Sequence, residues 1–412
     1  MKICMIGTGY VGLVSGTCFA DIGHQVYCVD KDLSKINQLN SGISPIYEPG
    51  LDELIKKNHK AKRLYFTSDL KKAITVSDII FICVGTPNIK GSLKVDLSFV
   101  FKCTKEILAI TKKKKIIVTK STVPIGTGDQ IENIIKKKKK LFSVISNPEF
   151  LREGEAIRDF RYPDRIIIGS NSKNEFKTMK KLYSPLINKG AKFFTTSRRG
   201  AELIKYAANA FLATKITFIN EIANLCEKSG INIEDIALGI GSDTRIGSRF
   251  LRPGPAYGGS CFPKDTKGLV SAAEKFKTNL SIVKSVIKSN QDRVNLLIKR
   301  VHKILGNNLR SKKISILGVT FKPNTDDMRD STSLKMLPYL SKKGAVISYY
   351  DPTGEKKEFK NLLNCKFKKN IKDNCLNADL IILLTEWDEF KSIDFKQVVK
   401  KKNFKIYDLR NI

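Results

Sequence analysis

The sequence predicts an α/β protein with two Rossmann-like, doubly wound domains that are joined by a central region of long helices. Three observations predict this class. Short β-branched runs alternate with helical patterns over about the first 195 residues, two long helical patterns follow, and the alternation returns after residue 311. Such alternation is typical of parallel sheets that are covered by helices on both faces.

The elements follow one another along the chain in a simple order. Six strand candidates occupy the first part: KICMI, QVYCVD, DIIFICV, KIIVT, FSVIS and RIIIG. A helical pattern of about 30 residues begins near residue 198 and is stopped by Gly230, and a second one covers roughly 280–306. Four strand candidates complete the chain: KKISILGVTF, AVISYYD, ADLIILLTEW and FKIYDL. We therefore predict domains at residues 1–197, 198–306 and 307–412.

The two long helical patterns set the middle domain apart from its neighbours. Helices of this length exceed what the cover of one sheet requires, and they predict a spine that joins domains or subunits. We expect residues 198–306 to form a helical dimerisation domain, and the protein to be a homodimer.

The composition excludes some function classes and leaves one open. A chain of 412 residues is too long for one typical hydrophobic core, so more than one domain is expected. The formal net charge of the chain is +34. Only 15 of the 74 basic residues are Arg, and the lysines gather in runs such as 112–115 and 136–140. A nucleic-acid groove would favour Arg interleaved with aromatic residues, so we interpret these runs as solvated faces and expect no nucleic-acid partner. A polyanion-binding protein without enzymatic activity remains the alternative from another class.

Targeting signals and metal-binding patterns are not evident. The chain starts with the strand-like run MKICMIG, and no apolar stretch reaches the roughly 18 residues of a membrane span. We therefore expect a cytoplasmic protein without a membrane partner. The nine cysteines include no CxxC and no spacing suited to zinc or to a disulfide framework, so we expect no metal. Cys4, Cys28 and Cys83 lie in apolar runs and are interpreted as buried thiols.

The N-terminus carries a dinucleotide-binding pattern in its full context. A strand, a GxGxxG turn, a helix and a second strand that ends in Asp30 follow one another within residues 1–30. The phosphates would lie at the helix N-terminus, where free N–H groups favour anions. Asp30 can accept hydrogen bonds from both ribose hydroxyls and would repel a 2′-phosphate, which favours NAD over NADP. The predicted NAD-binding residues of this segment are Gly7, Gly9, Tyr10, Val11, Gly12, Asp30 and Lys35.

One cysteine has unusual neighbours. Cys261 lies in PGPAYGGSCFPKD (253–265), where glycine, proline, lysine and aspartate surround it. A core cysteine needs no such neighbours, whereas a nucleophile that a bulky substrate approaches does. Gly258 and Gly259 would let such a substrate come close to the backbone.

Seven motifs in order identify a family resemblance. The chain resembles the nucleotide-sugar dehydrogenases of the UDP-glucose/GDP-mannose dehydrogenase family, and within it the branch that acts on UDP-glucose. The motifs are GTGYVGL (7–13), VGTP (84–87), KSTVPIGT (120–127), NPEFLREG (147–154), LIKYAANAFLATKI (203–216), GGSCFPKD (258–265) and FKPNTDDMRDS (321–331). They span residues 1 to about 331, and the last domain fits the UDP-binding domain of that architecture.

The resemblance implies an NAD-dependent, four-electron oxidation of UDP-glucose to UDP-glucuronate. An aldehyde is a poor hydride donor, so a thiol adds to it first. The thiohemiacetal on Cys261 donates the second hydride, and water hydrolyses the resulting thioester. A one-hydride dehydrogenase of the 3-hydroxyacid type shares the Rossmann start and a lysine on the middle helix, but needs no such cysteine.

The resemblance also implies roles for the residues around the cysteine. Lys205 and Asn209, four apart on one helix, would stabilise the oxyanion. Because no histidine lies in a motif, Glu149 and Asp265 are the candidates for proton handling, with Thr122 positioning water; which carboxylate acts in which half-reaction stays open.

The remaining binding residues are implied by the same motifs. Further cofactor contacts are expected at Thr86, Pro87, Thr122, Glu153, Lys264 and Arg329. Substrate contacts are expected at Glu149, Phe150, Leu151, Lys205, Asn209, Arg249, Phe250, Leu251, Arg252, Gly254, Gly258 and Lys322. Arg249 would reach from the partner subunit, and the cations would meet the diphosphate. Ala256 stands where the family commonly has glycine, so GDP-mannose or another nucleotide sugar remains open as the substrate.

Overall fold

The computed structural model describes all residues, Met1–Ile412. The chain divides into two compact units. The first comprises Met1–Ala208 with Ser271–Lys277, and the second comprises Asn209–Val270 with Thr278–Ile412.

The first unit is built on an eight-stranded sheet with the order β3-β2-β1-β4-β5-β6-β7-β8. The first six strands are parallel and have the strand order of a dinucleotide-binding sheet. The strands are β1 (Lys2–Ile6), β2 (Gln25–Val29), β3 (Leu64–Thr67), β4 (Ile79–Ile82), β5 (Lys115–Thr119), β6 (Phe142–Ser146), β7 (Arg165–Gly169) and β8 (Lys192–Thr196).

Two features of this sheet differ from the sequence prediction. The strands β3 and β8 were not predicted, since β3 has only four residues and β8 is a largely exposed edge strand. The strand β7 pairs with β6 in the antiparallel direction, through Ser146 and Gly169, and β8 runs parallel to β7. A parallel neighbour requires a crossover that returns the chain to the end of the sheet where the previous strand began. The antiparallel pairing of β7 with β6 does not require such a crossover.

Helices cover both faces of the first sheet. Separate apolar clusters lie on the two faces, so the central strands of the sheet are buried from both sides and consist largely of apolar residues. The helices are α1 (Tyr10–Asp21), α2 (Leu33–Asn40), α3 (Leu51–Lys60), α4 (Leu70–Val76), α5 (Ser98–Ile110), α6 (Thr127–Ile135), α7 (Ala156–Arg161), α8 (Lys173–Leu182) and α9 (Ser184–Ile187).

The middle of the chain is helical, as predicted. The long helices are α10 (Arg198–Ser229) and α13 (Ser281–Leu305), and shorter helices α11 (Ile233–Gly241) and α12 (Phe262–Lys275) lie between them in the chain. Gly230, with a φ of 72°, ends α10, because the left-handed conformation that terminates many helices favours glycine.

The second unit contains a five-stranded parallel sheet with the order β11-β10-β9-β12-β13. Its strands are β9 (Lys313–Leu317), β10 (Val346–Tyr350), β11 (Cys365–Phe367), β12 (Leu380–Leu383) and β13 (Lys405–Asp408). The helices of this part are α14 (Ser333–Lys342), α15 (Ile371–Cys375) and α16 (Phe395–Val398). Apolar clusters cover both faces here too, which confirms the predicted class of two doubly wound sheets with long helices between them in the chain. The three-residue strand β11 was missed.

Hydropathy adds one observation about the helices. No helix in the structure is both long enough and apolar enough to span a lipid bilayer.

Candidate active site

The turn after β1 has the geometry that a bound dinucleotide requires. Gly7 has a φ of +102°, and its N–H donates to the carbonyl of Val29 at 2.8 Å. A Cβ on Gly12 would lie 1.9 Å from the carbonyl oxygen of Gly7, so glycine there permits the close packing of α1 on the strand. A Cβ on Gly9 would meet nothing within 4 Å. Gly9 therefore leaves open space at the N-terminus of α1, where an anionic diphosphate would be bound.

Asp30, which comes directly after β2, is prepared to accept hydrogen bonds. Its Oδ2 accepts from the backbone N–H of Thr8 at 2.8 Å and from the Thr8 hydroxyl at 2.7 Å. Burial raises the pKa of Asp30, but the hydrogen bonds from Thr8 and Asp32 outweigh burial and hold the pKa below its ordinary value. The positive charge of Lys35 acts in the same direction. The ionised, half-buried carboxylate fits ribose hydroxyls and disfavours a 2′-phosphate.

The loops after β4 and β5 join this edge of the sheet. The strand β4 pairs with β1 and β5 pairs with β4, so the carboxyl ends of both strands lie on the same side of the sheet as the turn. The hydroxyl of Thr86 donates to the carbonyl of Thr122 at 2.8 Å, which fixes the two loops to each other. Pro87 is exposed, and Tyr10 and Val11 are half-buried at the start of α1. The first unit thus brings these predicted cofactor residues together.

A buried ion pair lies beyond the end of β6. Glu149 and Lys205 are only 5% and 3% exposed, and the Glu149 Oε1 lies 3.2 Å from the Lys205 Nζ. The other Glu149 oxygen accepts the backbone N–H of Leu151 at 2.5 Å. The ring of Phe150 lies 5.2 Å from the Lys205 Nζ and 4.1 Å from the Arg165 guanidinium. Glu149, Phe150, Leu151 and Lys205 form one cluster in the first unit, and Glu153 is buried a few residues further along the chain.

A second buried lysine was missed by the sequence analysis. The Lys120 Nζ lies 3.4 Å from both the Asn147 Oδ1 and the Tyr183 hydroxyl. Burial lowers the pKa of Lys120 to about 8. Lys120 opens the KSTVP motif directly after β5, and a lysine at the end of a buried strand is the signal that could have drawn attention to it.

Cys261 lies at the start of a helix in the second unit. Its carbonyl accepts the backbone N–H of Asp265 at 2.8 Å, so it caps the N-terminus of α12. Its Sγ is 3.4 Å from the Ser260 hydroxyl, and the residue is half-buried. The partial positive charge of the helix N-terminus stabilises a thiolate, which is the nucleophilic form. The predicted burial of Cys4, Cys28 and Cys83 is confirmed.

Asp265 organises the polar side chains around this helix start. It is fully buried, and its Oδ2 accepts from the Asn209 Nδ2 at 2.6 Å. Its Oδ1 accepts from the Lys264 Nζ, also at 2.6 Å. Asn209 lies one helical turn after Lys205 on α10. The second unit therefore brings Asn209, Lys264 and Asp265 together.

The loop before Cys261 is held by side chains that the sequence analysis missed. Asn290 of α13 binds both the N–H and the carbonyl of Tyr257, at 2.9 and 3.0 Å. The Arg293 Nε donates to the carbonyl of Gly254 at 2.6 Å, and the N–H of Gly254 donates to the Asn220 Oδ1 at 2.8 Å. Both backbone groups of Gly254, a predicted substrate contact, thus make hydrogen bonds within the protein.

Gly258 and Gly259 are packed against another segment of the second unit. A Cβ on Gly258 would lie 2.5 Å from the carbonyl oxygen of Asp330. Gly259 has a φ of +79°, and a Cβ there would lie 2.7 Å from the Phe321 ring. The segment 321–331 occupies the direction in which a side chain would point from either glycine, so packing requires glycine at both positions.

The predicted phosphate-binding cations are distributed along exposed loops. Arg249 and Arg252 are exposed, and Arg252 donates to the carbonyl of Asn411 at 2.9 Å. Arg329, which was predicted as a cofactor contact, forms an ion pair with Asp327 at 2.7 Å. Lys322 is half-buried, with its Nζ 5.7 Å from the Phe321 ring.

Two further residues of the cysteine loop have unusual backbone or pocket positions. Phe250 has a φ of +66°, a strained conformation for an aromatic residue that is often found at functional sites, and Leu251 beside it is buried. Ala256 lines a narrow cleft together with Phe321, Asp330 and Arg410. Arg410 was missed, because no motif surrounds it near the C-terminus.

The first unit has the open turn, the helix N-terminus and the ribose-binding acid of an NAD-dependent oxidoreductase. Three domain models of the UDP-glucose/GDP-mannose dehydrogenase family match the chain: the NAD binding domain over residues 1–187, the central domain over 199–292 and the UDP binding domain over 315–412. The chain belongs to this family, which confirms the resemblance, and NAD is its cofactor.

Similar proteins cover the whole chain. A UDP-glucose 6-dehydrogenase of Rhizobium meliloti is 49% identical over 100% of this chain and 95% of the relative, and one of Rickettsia felis is 44% identical over 100% and 92%. A solved UDP-glucose dehydrogenase from Pyrobaculum islandicum superposes with a TM-score of 0.92 at 32% identity, over 99% of this chain and 94% of that one.

Proposed function

We propose that this protein oxidises UDP-glucose to UDP-glucuronate with NAD, in a four-electron reaction that passes through covalent adducts on Cys261. The names of the full-length relatives support the substrate. The observation that carries the mechanism is the position of Cys261. This residue is half-buried and directly precedes α12, the helix that contains Asp265.

The proposed chemistry consists of two oxidations and one hydrolysis. In the first oxidation the C6 hydroxyl loses a proton to a base and C6 loses a hydride, which gives an aldehyde. The Cys261 thiolate adds to the aldehyde carbon, and the oxyanion takes up a proton to give a thiohemiacetal. Loss of a second hydride from that carbon and of the hydroxyl proton gives a thioester, which water hydrolyses to a carboxylate and the free thiol. NAD, when bound, accepts one hydride in each oxidation.

Five further side chains are proposed to assist these steps. Lys205 and Asn209 stabilise the negative oxygen that develops when the thiolate or water attacks. Glu149 accepts the proton of the attacking water, and its 3.2 Å contact with Lys205 supports this role by placing the carboxylate beside the lysine that stabilises the oxyanion. Asp265 orients Asn209 through the 2.6 Å hydrogen bond. Thr122 positions water.

The nucleotide part of the substrate is proposed to bind the loops of the C-terminal domain and of the cysteine segment. The match of residues 315–412 to a UDP binding domain supports this assignment. Arg249, Arg252 and Lys322 would neutralise the diphosphate, and Phe250 and Leu251 would line the nucleotide sugar. The domain boundaries at 197/198 and 306/307 are part of the same proposal.

We further propose a cytoplasmic homodimer that is formed through the long helices. Phe211, Phe218 and Leu225 of α10 are 66%, 51% and 62% exposed and are spaced seven residues apart. A stripe with this period lies on one helix face and packs against a second helix in many assemblies. The partner subunit would then contribute Arg249 to the site.

The decisive experiment counts NADH and identifies the product. Incubation with limiting UDP-glucose and excess NAD is expected to release about two NADH per sugar, with UDP-glucuronate seen by mass spectrometry. One NADH per sugar would favour the simpler 3-hydroxyacid-type reaction, and turnover with GDP-mannose alone would reject UDP-glucose. Salt-sensitive DNA binding without any turnover would favour the polyanion-binding alternative.

A matched pair of cysteine variants tests the covalent step. Cys261→Ser is expected to abolish carboxylate formation, whereas Cys365→Ser, at the other half-buried cysteine, keeps it. Trapping of the wild-type thioester by an acid quench, followed by peptide mass spectrometry, should locate the adduct on residue 261. Unchanged product formation by Cys261→Ser would refute the mechanism.

A further inference from the structure

Glu48 is a buried carboxylate for which the proposed chemistry has no use. It lies in the loop between α2 and α3 and is 7% exposed. Burial of a carboxylate costs several kcal/mol unless hydrogen bonds replace the lost water. A carboxyl group at such a position therefore requires a specific set of hydrogen-bond donors.

The donors to Glu48 come from two segments that are distant in the sequence. Its Oε1 accepts the backbone N–H of Ala156 at 2.7 Å and that of Ile157 at 3.4 Å. Its Oε2 accepts the backbone N–H of Gly154 at 2.6 Å and the hydroxyl of Tyr10. One side chain thus ties the segment 154–157 to the start of α1.

The phenol of Tyr10 strengthens the same junction. Its oxygen accepts the N–H of Gly154 at 2.8 Å, and its hydroxyl also approaches the carbonyl of Arg152 at 3.4 Å. Burial, followed by the hydrogen bond to Glu48 and the charge of Glu48, raises the pKa of Tyr10 far above its ordinary value. The phenol therefore stays protonated and remains a donor to the carboxylate.

Both joined segments belong to the cofactor site. Tyr10 is the first residue of α1, whose N-terminus faces the open space left by Gly9. Glu153, a predicted cofactor contact, directly precedes Gly154. The position of Glu153 relative to the diphosphate-binding turn is therefore set by the bonds that Glu48 makes to the amides next in the chain.

We propose that Glu48 is a positioning residue of the NAD site, which holds the segment 154–157, and with it Glu153, against Tyr10 at the diphosphate-binding turn. This inference rests on the binding of NAD by the first unit. Its role is distinct from catalysis, because Glu48 acts on the cofactor through Tyr10 and the loop.

The test compares binding of NADH by wild type and three variants, measured by nicotinamide fluorescence on the intact protein. Glu48→Gln keeps the shape but places an amide N–H₂ against a backbone N–H, and it should weaken NADH binding about tenfold. Tyr10→Phe removes one donor only and should weaken binding less. Glu53→Gln, the same chemical change at an exposed position of α3, is the control and should leave binding unchanged.

Two further measurements distinguish positioning from general stability. Hydrogen exchange of the apo-protein should accelerate in peptides that contain residues 152–157 in Glu48→Gln, while peptides from β4 and β5 stay protected. The KM for NAD should rise while the KM for UDP-glucose stays constant.

Three outcomes would overturn the inference. The first is that Glu48→Gln and wild type bind NADH equally well. The second is that hydrogen exchange of residues 152–157 does not change. The third is a lower thermal midpoint with unaltered NADH affinity, since Glu48 would then have a structural role alone. Should Glu48→Gln fail to fold, unaltered NADH affinity of Tyr10→Phe would overturn it as well. A wild-type protein that binds no NADH would instead refute the proposed function.

Discussion

The first turns of the two sheets are built on the same plan and have different uses. Gly7 and Gly318 each come directly after the first strand of their sheet, and each donates its N–H to the last residue of the neighbouring strand at 2.8 Å. Asp30 and Asp351 each come directly after that neighbouring strand, and each accepts at 2.8 Å the N–H of the residue after the glycine. The strand, glycine and acid therefore form one structural unit that occurs twice in this chain.

The difference lies in the segment that leaves the glycine. In the first sheet α1 begins at Tyr10, so a helix N-terminus faces the open space at Gly9. In the second sheet the chain continues without a helix, and α14 begins only at Ser333. A strand–glycine–acid unit binds a dinucleotide only where a helix starts at the turn, because the helix supplies the free N–H groups for the diphosphate.

The two acids differ in the same sense. Asp30 is half-buried, and its bonds come from Thr8 and Asp32 alone. Asp351 is 1% exposed and accepts from the backbone of the turn and from both donors of Thr353. The carboxylate oxygens of Asp351 accept hydrogen bonds from within the protein, whereas those of Asp30 can accept further hydrogen bonds from a ligand.

The largest expected effect comes from adding one methyl group to each turn. Gly9 has a φ of −70° and free space for a Cβ, so Gly9→Ala should fold normally but weaken NADH binding about a hundredfold, because the methyl group displaces the diphosphate. Gly318 has a φ of +77°, and a Cβ there would lie 2.5 Å from the Cβ of Thr385. Gly318→Ala should therefore lower the free energy of unfolding by about 3 kcal/mol.

Fluorescence titration with NADH and urea unfolding of both glycine variants measure the two effects. The comparison fails if Gly9→Ala unfolds more easily than wild type while binding NADH equally well. It also fails if Gly318→Ala is as stable as wild type, since the second turn would then not depend on its glycine.

These turns also separate the features that the sequence could predict from those that it could not. The predicted role of Gly7 and Asp30 is apparent from a local pattern, as are the unusual neighbours of Cys261. Asn220 and Arg293 were interpreted only as parts of helices, because their partner Gly254 lies 34 and 39 residues away. Alternation of β-branched runs predicted the sheets, but it did not reveal the short strand β11 or the antiparallel β7, whose direction depends on the path of the connecting chain.

A smaller effect on NADH binding is expected at the acid of the first sheet than at its glycine, while the acid of the second sheet again affects stability. Asp30→Ala should weaken NADH binding about tenfold, since hydrogen bonds to a charged acceptor are lost, and should change stability little. Asp351→Ala should lower the free energy of unfolding by about 3 kcal/mol, because five hydrogen-bond donors lose their acceptor, and should leave NADH affinity unchanged. Calorimetry of unfolding and NADH titration of both variants check this. A loss of stability in Asp30→Ala equal to that in Asp351→Ala would erase the proposed distinction.

The smallest expected effect concerns the charge that Asp30 carries before any ligand arrives. The folded pKa of Asp30 lies below its unfolded value of about 3.9, so its ionised form stabilises the fold above that pH, and this contribution disappears as the pH falls through the folded pKa. Because the side chain is half-exposed, the difference in free energy of unfolding between wild type and Asp30→Asn should stay below about 1 kcal/mol at pH 7 and shrink toward pH 3. Urea unfolding at several pH values measures it, with Glu53→Gln as the control for the loss of one carboxylate. A difference that grows toward low pH would mean that Asp30 is protonated in the folded protein and unsuited to accept both ribose hydroxyls.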